Sequence, residues 1–268
     1  MRLPRLAAMT SAFFAAAALV LTGPVTAASA QQAAPTGYVA LGDSYSAGVG
    51  AGSYDSSSGS CKRSTKAYSA LWAAANSPSS YQSTACSGAR TGDVLGGQLA
   101  PLNSSTGLVS ITIGGNDAGF ADTMSTCALN SESTCLARVA QAVSYVKNTL
   151  PAQLDGVYNA ISQKAPAAHV VVLGYPHFYK IGGSCLAGLS EKSRSAINGA
   201  ADQINGVSAK RAADHGFSFA DVNTKFSGHE LCSGDPWLHS VTLPVDESYH
   251  PTAAGQAKGY LPALSSAA

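Results

Sequence analysis

Charge is scarce in this chain: Asp, Glu, Lys and Arg make up 12% of its 268 residues, and 16 basic residues nearly balance 15 acidic ones. No basic cluster tracks along any stretch, so the electrostatic footprint that a phosphate backbone demands is missing and nucleic acid has no support as a partner. Cys-x-x-Cys pairs and Cys/His clusters are absent, which removes the usual spacing of a metal site. The usual hydrolase elbow, Gly-x-Ser-x-Gly, occurs nowhere. Past the amino-terminal segment no run is apolar enough for the ~20 residues that a spanning helix needs. Contact with a lipid surface stays open, because such contact can be apolar rather than electrostatic.

That amino-terminal segment has a different character. Arg2 and Arg5 form a positive start, Ala12 to Leu21 is nearly all apolar, and Ala28-Ser29-Ala30 fits a small-x-small cleavage site. Together they read as a secretory signal peptide over residues 1–30. The exported protein then starts near Gln31 and runs to Ala268, a length that suits a single domain (31–268). All six cysteines (Cys61, Cys86, Cys127, Cys135, Cys185 and Cys232) lie in that part. An even count in an exported chain implies disulfides, though the count alone allows many pairings. The sequential spacing favours Cys61–Cys86, Cys127–Cys135 and Cys185–Cys232.

Strand-like stretches fall at 38–41, 81–84, 108–113, 169–173 and 217–221, and two long segments, 136–163 and 191–215, have helical spacing. In the first of these Val139, Val143, Val146, Leu150, Leu154 and Val157 recur at three- and four-residue steps, and Pro151 is expected to kink or divide the helix. Ser110 and Thr112 interrupt the third strand, so its burial is expected to be less complete than that of 169–173. Ser56–Ser60 reads as a loop before Cys61, and Pro251 as an early position of a last helix. Strands alternating with helices argue for a parallel sheet covered on both faces.

The chemistry gathers around Ser44. The run Tyr38-Val-Ala-Leu-Gly42 ends at Asp43-Ser44-Tyr45, so the serine emerges at a strand's carboxyl end, where open α/β sheets bind ligands. Serine is a weak nucleophile that needs a base and donors for the developing oxyanion. Three further fragments offer them: Cys86-Ser-Gly-Ala-Arg90, Gly114-Gly-Asn-Asp117 and Glu247-Ser-Tyr-His-Pro251. Each alone is a weak signal; Gly-Asp-Ser is usually a turn, and Gly-Gly-Asn-Asp is a good loop sequence. All four in this order resemble the SGNH hydrolases, also called the GDSL esterase and lipase family, and most closely its secreted bacterial lipases, which also carry six cysteines.

The resemblance implies a three-layer α/β/α sandwich with a central parallel sheet, flavodoxin-like in kind. It assigns Ser44 as nucleophile and His250 as base, with the Ser44 and Gly88 backbone N–H groups and the Asn116 amide as the oxyanion hole. The simpler readings are a turn at Gly88 beside a disulfide, and a capping role for Asn116. Asp43 and Asp117 are expected to hold their loops by hydrogen bonds. The family's Asp-x-x-His motif is broken here, because Glu247 stands three residues before His250. Two groups compete to orient the imidazole: the Glu247 carboxylate and the Ser248 main-chain carbonyl, toward which the absence of the motif's Asp leans.

Two other patterns carry no such weight. Gly48-Val-Gly-Ala-Gly52 lacks Gly-x-Gly-x-x-Gly spacing, and His229 and His239 flank Cys232 without a second local ligand pair. No cofactor and no metal are implied. The expected activity is hydrolysis of acylglycerols or phospholipids through an acyl-enzyme, by a secreted monomer that touches lipid surfaces transiently. Tyr45, Phe120, Phe178 and Trp237 are candidates for an acyl groove. The alternatives are a carbohydrate acetyl esterase or acyltransferase on the same site, or a non-catalytic lipid- or glycan-binding module.

Overall fold

Five short stretches, β-branched and apolar in the three central strands and aromatic-bearing at the two edges, form β1 (Tyr38–Gly42), β2 (Tyr81–Ser83), β3 (Leu108–Thr112), β4 (His169–Leu173) and β5 (Ser218–Ala220). The computed structural model describes residues 37–185 and 188–268; the expected signal peptide and the chain start near Gln31 lie outside them. All strand pairs are parallel, in the order β2-β1-β3-β4-β5. Parallel neighbours cannot be joined by tight hairpins, so the connections cross over as helices. In chain order these are α1 (Ser44–Ala47), α2 (Tyr68–Asn76), α3 (Thr91–Asp93), α4 (Phe120–Leu129), α5 (Glu132–Asn148), α6 (Leu150–Lys164), α7 (Glu191–Asp214), α8 (Asn223–Phe226) and α9 (Leu261–Ala267).

The helices sort into two layers. α2 and α9 pack on each other, with α9 also against β4 and β5, while α5, α6 and α7 pack together with α7 against the same two strands. The result is an α/β/α sandwich of flavodoxin-like strand order. From β1 the chain steps outward to β2, then returns past β1 to β3, so the order reverses at β1. That reversal opens a crevice at the carboxyl ends of β1 and β3, and both Gly42 and Thr112 end there.

The core follows the periodicity of the sequence. Leu150, Leu154, Val157 and Ile161 line one stripe of α6 and are fully buried, each stabilising the fold by about 1.5–3 kcal/mol. The segment read as one helix over 136–163 is two, α5 and α6, with Pro151 at the start of the second, where its missing N–H costs nothing. Ser56–Cys61 is a 3-10 helix capped by Asp55, rather than a loop. Pro251 precedes the last helical segment instead of opening it: it bridges to Leu238, and Thr252 Oγ1 accepts from Gly255 N–H at 3.2 Å as the cap.

β3 also departs from expectation, since all five of its residues are buried, whereas His169 at the start of β4 is exposed. Polar side chains can lie inside when their hydrogen bonds are made there. Ser110 Oγ pairs with Tyr38 Oη at 2.7 Å, and Thr112 Oγ1 with both Ser46 Oγ (2.8 Å) and Asp43. Disulfides Cys61–Cys86, Cys127–Cys135 and Cys185–Cys232 join loops and helix ends around the sandwich. Among the described residues no helix is long and apolar enough to cross a membrane.

Candidate active site

β1 stops at Gly42 and the chain turns at once into α1. Only glycine makes that turn: φ is +117°, and a Cβ there would overlap the Thr112 carbonyl oxygen. Gln98 holds the strand end, donating from Nε2 to Gly42 O at 2.9 Å and accepting from Gly42 N–H at 2.7 Å. Asp43 caps α1, its Oδ1 accepting from Tyr45 N–H at 3.0 Å and from Thr112 Oγ1 at 2.6 Å. Its Oδ2 accepts from the Tyr175 hydroxyl at 2.5 Å, and that hydroxyl accepts from Gly115 N–H at 3.2 Å. Burial pushes the Asp43 carboxyl up to about 6, against the opposing pull of Thr112, Tyr175 and Tyr45. Ser44 is thus set on the first turn of a helix whose cap, Asp43, is bonded to Thr112 of β3 and to Tyr175, and whose Ser46 Oγ also pairs with Thr112 Oγ1.

His250 arrives from the far end of the chain. Tyr249 N–H donates to His239 O, His239 N–H to His250 O, and the Tyr45 hydroxyl to Tyr249 O (2.7 Å), so the histidine segment is laced to α1. His250 Nε2 lies 2.7 Å from Ser44 Oγ, and Nδ1 lies 3.0 Å from the Ser248 carbonyl oxygen. A carbonyl only accepts, so Nδ1 carries the hydrogen and the Nε2 lone pair faces the serine hydroxyl. The imidazole packs against the rings of Tyr45 and Phe120. Loss of hydration there pushes it down to about 4, with the Ser248 carbonyl pulling the other way. It is neutral at pH 7, the state a base requires.

Neither neighbouring carboxylate bonds the imidazole. Glu247 Oε1 accepts from the Tyr54 hydroxyl at 2.8 Å, and that hydroxyl accepts from Gly50 N–H at 2.9 Å. Burial, followed by Glu247, pushes the Tyr54 hydroxyl up to about 12. Asp246 pairs with Lys62 at 2.5 Å.

A cleft of about 320 Å³ opens above this pair, with Ser44, Gly88, Asn116, Phe120, Tyr249 and His250 in its wall. Gly88 sits in a turn that Cys86 and Ser87 fasten, Cys86 N–H donating to Gly42 O and Ser87 N–H to Cys61 O. Its own N–H has no hydrogen-bond partner among the described residues. Asn116 Nδ2 donates one hydrogen to Ala89 O at 2.9 Å, which orients the amide and leaves its second hydrogen unspent. Asp117 ties the same loop down, accepting from Thr91 N–H and from Thr91 Oγ1 at 2.6 Å. A narrower apolar slot of about 70 Å³ continues beneath Ser44 between Tyr45, Phe120, Phe178, Val146, Ile197 and Ile204.

Trp237 does not belong to this groove. It stacks on His229 at 3.5 Å and meets Phe226 edge-on, lining neither cavity. His229 Nδ1 lies against Asp235, and His239 Nε2 donates to Gly50 O at 2.8 Å. Among the described residues no group of three or more His, Cys, Asp or Glu gathers as a metal site.

Three contributors were not legible beforehand: Gln98, Tyr54 and Tyr175. Tyr175 carried a usable signal, since it follows β4 at a strand's carboxyl end, where the sheet presents its ligands. Gln98 and Tyr54 sit in stretches with no distinguishing pattern, and only contact reveals them.

Known proteins are similar to this chain over most of its length. A lipase from Streptomyces rimosus is 71% identical over 267 residues, covering all of both chains, and Lipase 1 from Streptomyces coelicolor is 68% identical over 269 residues at the same coverage. The crystal structure of the extracellular Streptomyces rimosus lipase superposes with a TM-score of 0.85 at 75% identity, covering 87% of this chain and all of that one. Phospholipase A1 from Streptomyces albidoflavus gives the same TM-score at 65% identity, covering 87% of this chain and 99% of that one. Residues 40–258 match the GDSL-like lipase/acylhydrolase family, and with relatives this similar over their full length the chain belongs to it.

Proposed function

We propose that this chain is an exported carboxylic ester hydrolase, a lipase or phospholipase, working through an acyl-enzyme on Ser44. The observation that carries the reading is the 2.7 Å contact between Ser44 Oγ and a neutral, buried His250 whose Nδ1 hydrogen is committed to the Ser248 carbonyl. Export follows from the signal-like segment 1–30, with 31–268 acting as one domain.

In this reading Ser44 Oγ attacks the ester carbonyl carbon while its proton passes to His250 Nε2. The carbonyl oxygen takes the electron pair and is held by N–H groups of Ser44 and Gly88 and by the Asn116 amide. Such a preorganised donor is worth roughly 3 kcal/mol in the transition state. The tetrahedral species then collapses, the C–O bond breaks, and His250 returns its proton to the leaving alcohol. Water repeats the sequence on the acyl-enzyme, giving the acid and free serine. The Ser248 carbonyl fixes the tautomer and supports the transient imidazolium through its dipole. The apolar slot beneath Ser44 suits the hydrocarbon of an acyl chain, and the names of the Streptomyces relatives point to lipid esters.

Fluorophosphonate labelling, with hydrolysis of triacylglycerol and phosphatidylcholine and analysis of the products, tests the reading. A covalent adduct on Ser44 and release of long-chain fatty acid are expected. Folded protein with no adduct would defeat the enzyme claim. A preference for 4-nitrophenyl acetate with no activity above butyrate would replace lipid by acetylated carbohydrate as substrate.

A further inference from the structure

The four most exposed large apolar side chains of the described residues are Leu243 (90%), Leu129 (82%), Val245 (69%) and Val241 (64%), and three of them, Leu129, Val241 and Val245, line the catalytic cleft. Leu129 ends α4 on one lip, and Val241 and Val245 form part of the other. Leu243 stands between those two valines in the chain. Isolated exposed apolar residues need no explanation, but such a cluster on a soluble domain marks an interaction surface.

The loop that carries three of them is fastened to the protein rather than left slack. Ser248 Oγ accepts from Thr242 N–H at 3.0 Å and closes its neck, while Glu247 is bonded to Tyr54 and Asp246 to Lys62 on its flank. These ties anchor the loop at its neck and flank, while Leu243 and Val245 between them stay exposed. No lysine or arginine lines the cleft, and the single acid that does, Asp246, is already paired. A charged partner finds nothing to recognise here.

We propose that this loop tip and Leu129 dock the protein onto a neutral, zwitterionic lipid layer, with the cleft mouth facing the layer. The proposal rests on the ester-hydrolase reading above and names how that site meets its substrate. The apolar rim is continuous with the cleft, so a lipid ester passes from the layer to Ser44 along apolar surface and avoids exposing its hydrocarbon to water. Insertion is driven by burial of the rim rather than by counter-ion release, and its strength depends little on salt.

The test uses the full mature chain carrying Ser44→Ala, so that vesicles stay intact, and measures co-sedimentation with phosphatidylcholine vesicles with and without Leu243→Asp. Leu243 lines neither the cleft nor the slot. Partition is expected to fall about tenfold or more, while hydrolysis of soluble 4-nitrophenyl butyrate by the Ser44 parent with Leu243→Asp stays within about twofold. Leu243→Ser repeats the comparison without adding a charge, and Leu243→Trp is expected to blue-shift and to be quenched by brominated phosphatidylcholine. Undiminished partition of Leu243→Asp and Leu243→Ser would overturn the proposal, as would binding only to anionic vesicles. A dimer in sedimentation velocity that Leu243→Asp dissolves would make a second copy of the chain the occupant and overturn it too. Binding needs no turnover, so an inactive protein that still partitions would sink the ester-hydrolase reading and leave the docking surface standing.

Discussion

Replacing Glu247 by Gln separates two ways of building the base. If the carboxylate orients and charges the imidazole, its loss resembles loss of a triad acid, roughly 10⁴-fold in kcat. The geometry assigns it other work: Glu247 Oε1 accepts from Tyr54 at 2.8 Å, while His250 Nδ1 meets the Ser248 carbonyl at 3.0 Å. Removing the charge then weakens one half-buried hydrogen bond, worth about 1 kcal/mol once solvent screening is allowed for. In a domain of this size that lowers Tm by about 2–4 °C. The loop carrying Ser248 loosens slightly, and kcat/KM falls by about tenfold at most. Tyr54→Phe removes the same contact from its other end and also leaves Gly50 N–H without its acceptor, so it should cost somewhat more, and the double variant should add little beyond Tyr54→Phe alone. The assay is kcat/KM on 4-nitrophenyl butyrate, with thermal unfolding run alongside. A loss of about a thousand-fold in Glu247→Gln with unchanged Tm would refute the reasoning and restore the carboxylate as the orienting group.

The other expectations follow from the same network. Tyr175→Phe breaks the bonds to Asp43 and Gly115 that join the nucleophile turn to the Asn116 loop; kcat should fall about tenfold with KM nearly unchanged, and an altered KM with normal kcat would remove the positioning role. Gly42→Ala places a methyl group into the Thr112 carbonyl at a left-handed φ, so it should cost about 3 kcal/mol or more in denaturant unfolding; a neutral result would mean the turn is not held as described. His250 is held near 4, below its ordinary 6.5, so its share of stability is full above pH 6.5 and is lost as pH falls toward 4. Asp43 is raised from 3.8 to about 6, so its share is full below 3.8 and is lost as pH rises through 6. Each effect is on the order of 3 kcal/mol and they oppose, so the parent's stability should be nearly flat between pH 4 and 6. Asp43→Asn should then gain stability with rising pH in that window and His250→Asn should lose it; parallel curves would contradict both assignments. The acid limb of kcat/KM should lie near 4 rather than 6.5.

What the sequence determined by itself is what local physics writes locally. Apolar and β-branched runs placed the three central strands, alternation with helical spacing placed a parallel sheet under two helical layers, and Pro151 divided its helix. Each fragment of the site alone is a weak signal, and Ser44 and His250 were legible because four fragments in this order resemble the SGNH hydrolases. Burial of Ser110 and Thr112 was not, because a polar side chain reads as exposed until its partners are known, and theirs come from β1 and α1. Trp237 looked like a groove residue for the opposite reason: an aromatic has the right surface anywhere, and only packing put it on His229. The orientation of His250 is the sharpest case. A carboxylate three residues away and a carbonyl two residues away are equally visible in the chain; in the structure Glu247 bonds Tyr54, nearly two hundred residues distant, and Nδ1 meets the Ser248 carbonyl. Spacing along the chain proposes partners; the tertiary fold, by setting which hydrogen bonds are already filled, decides among them.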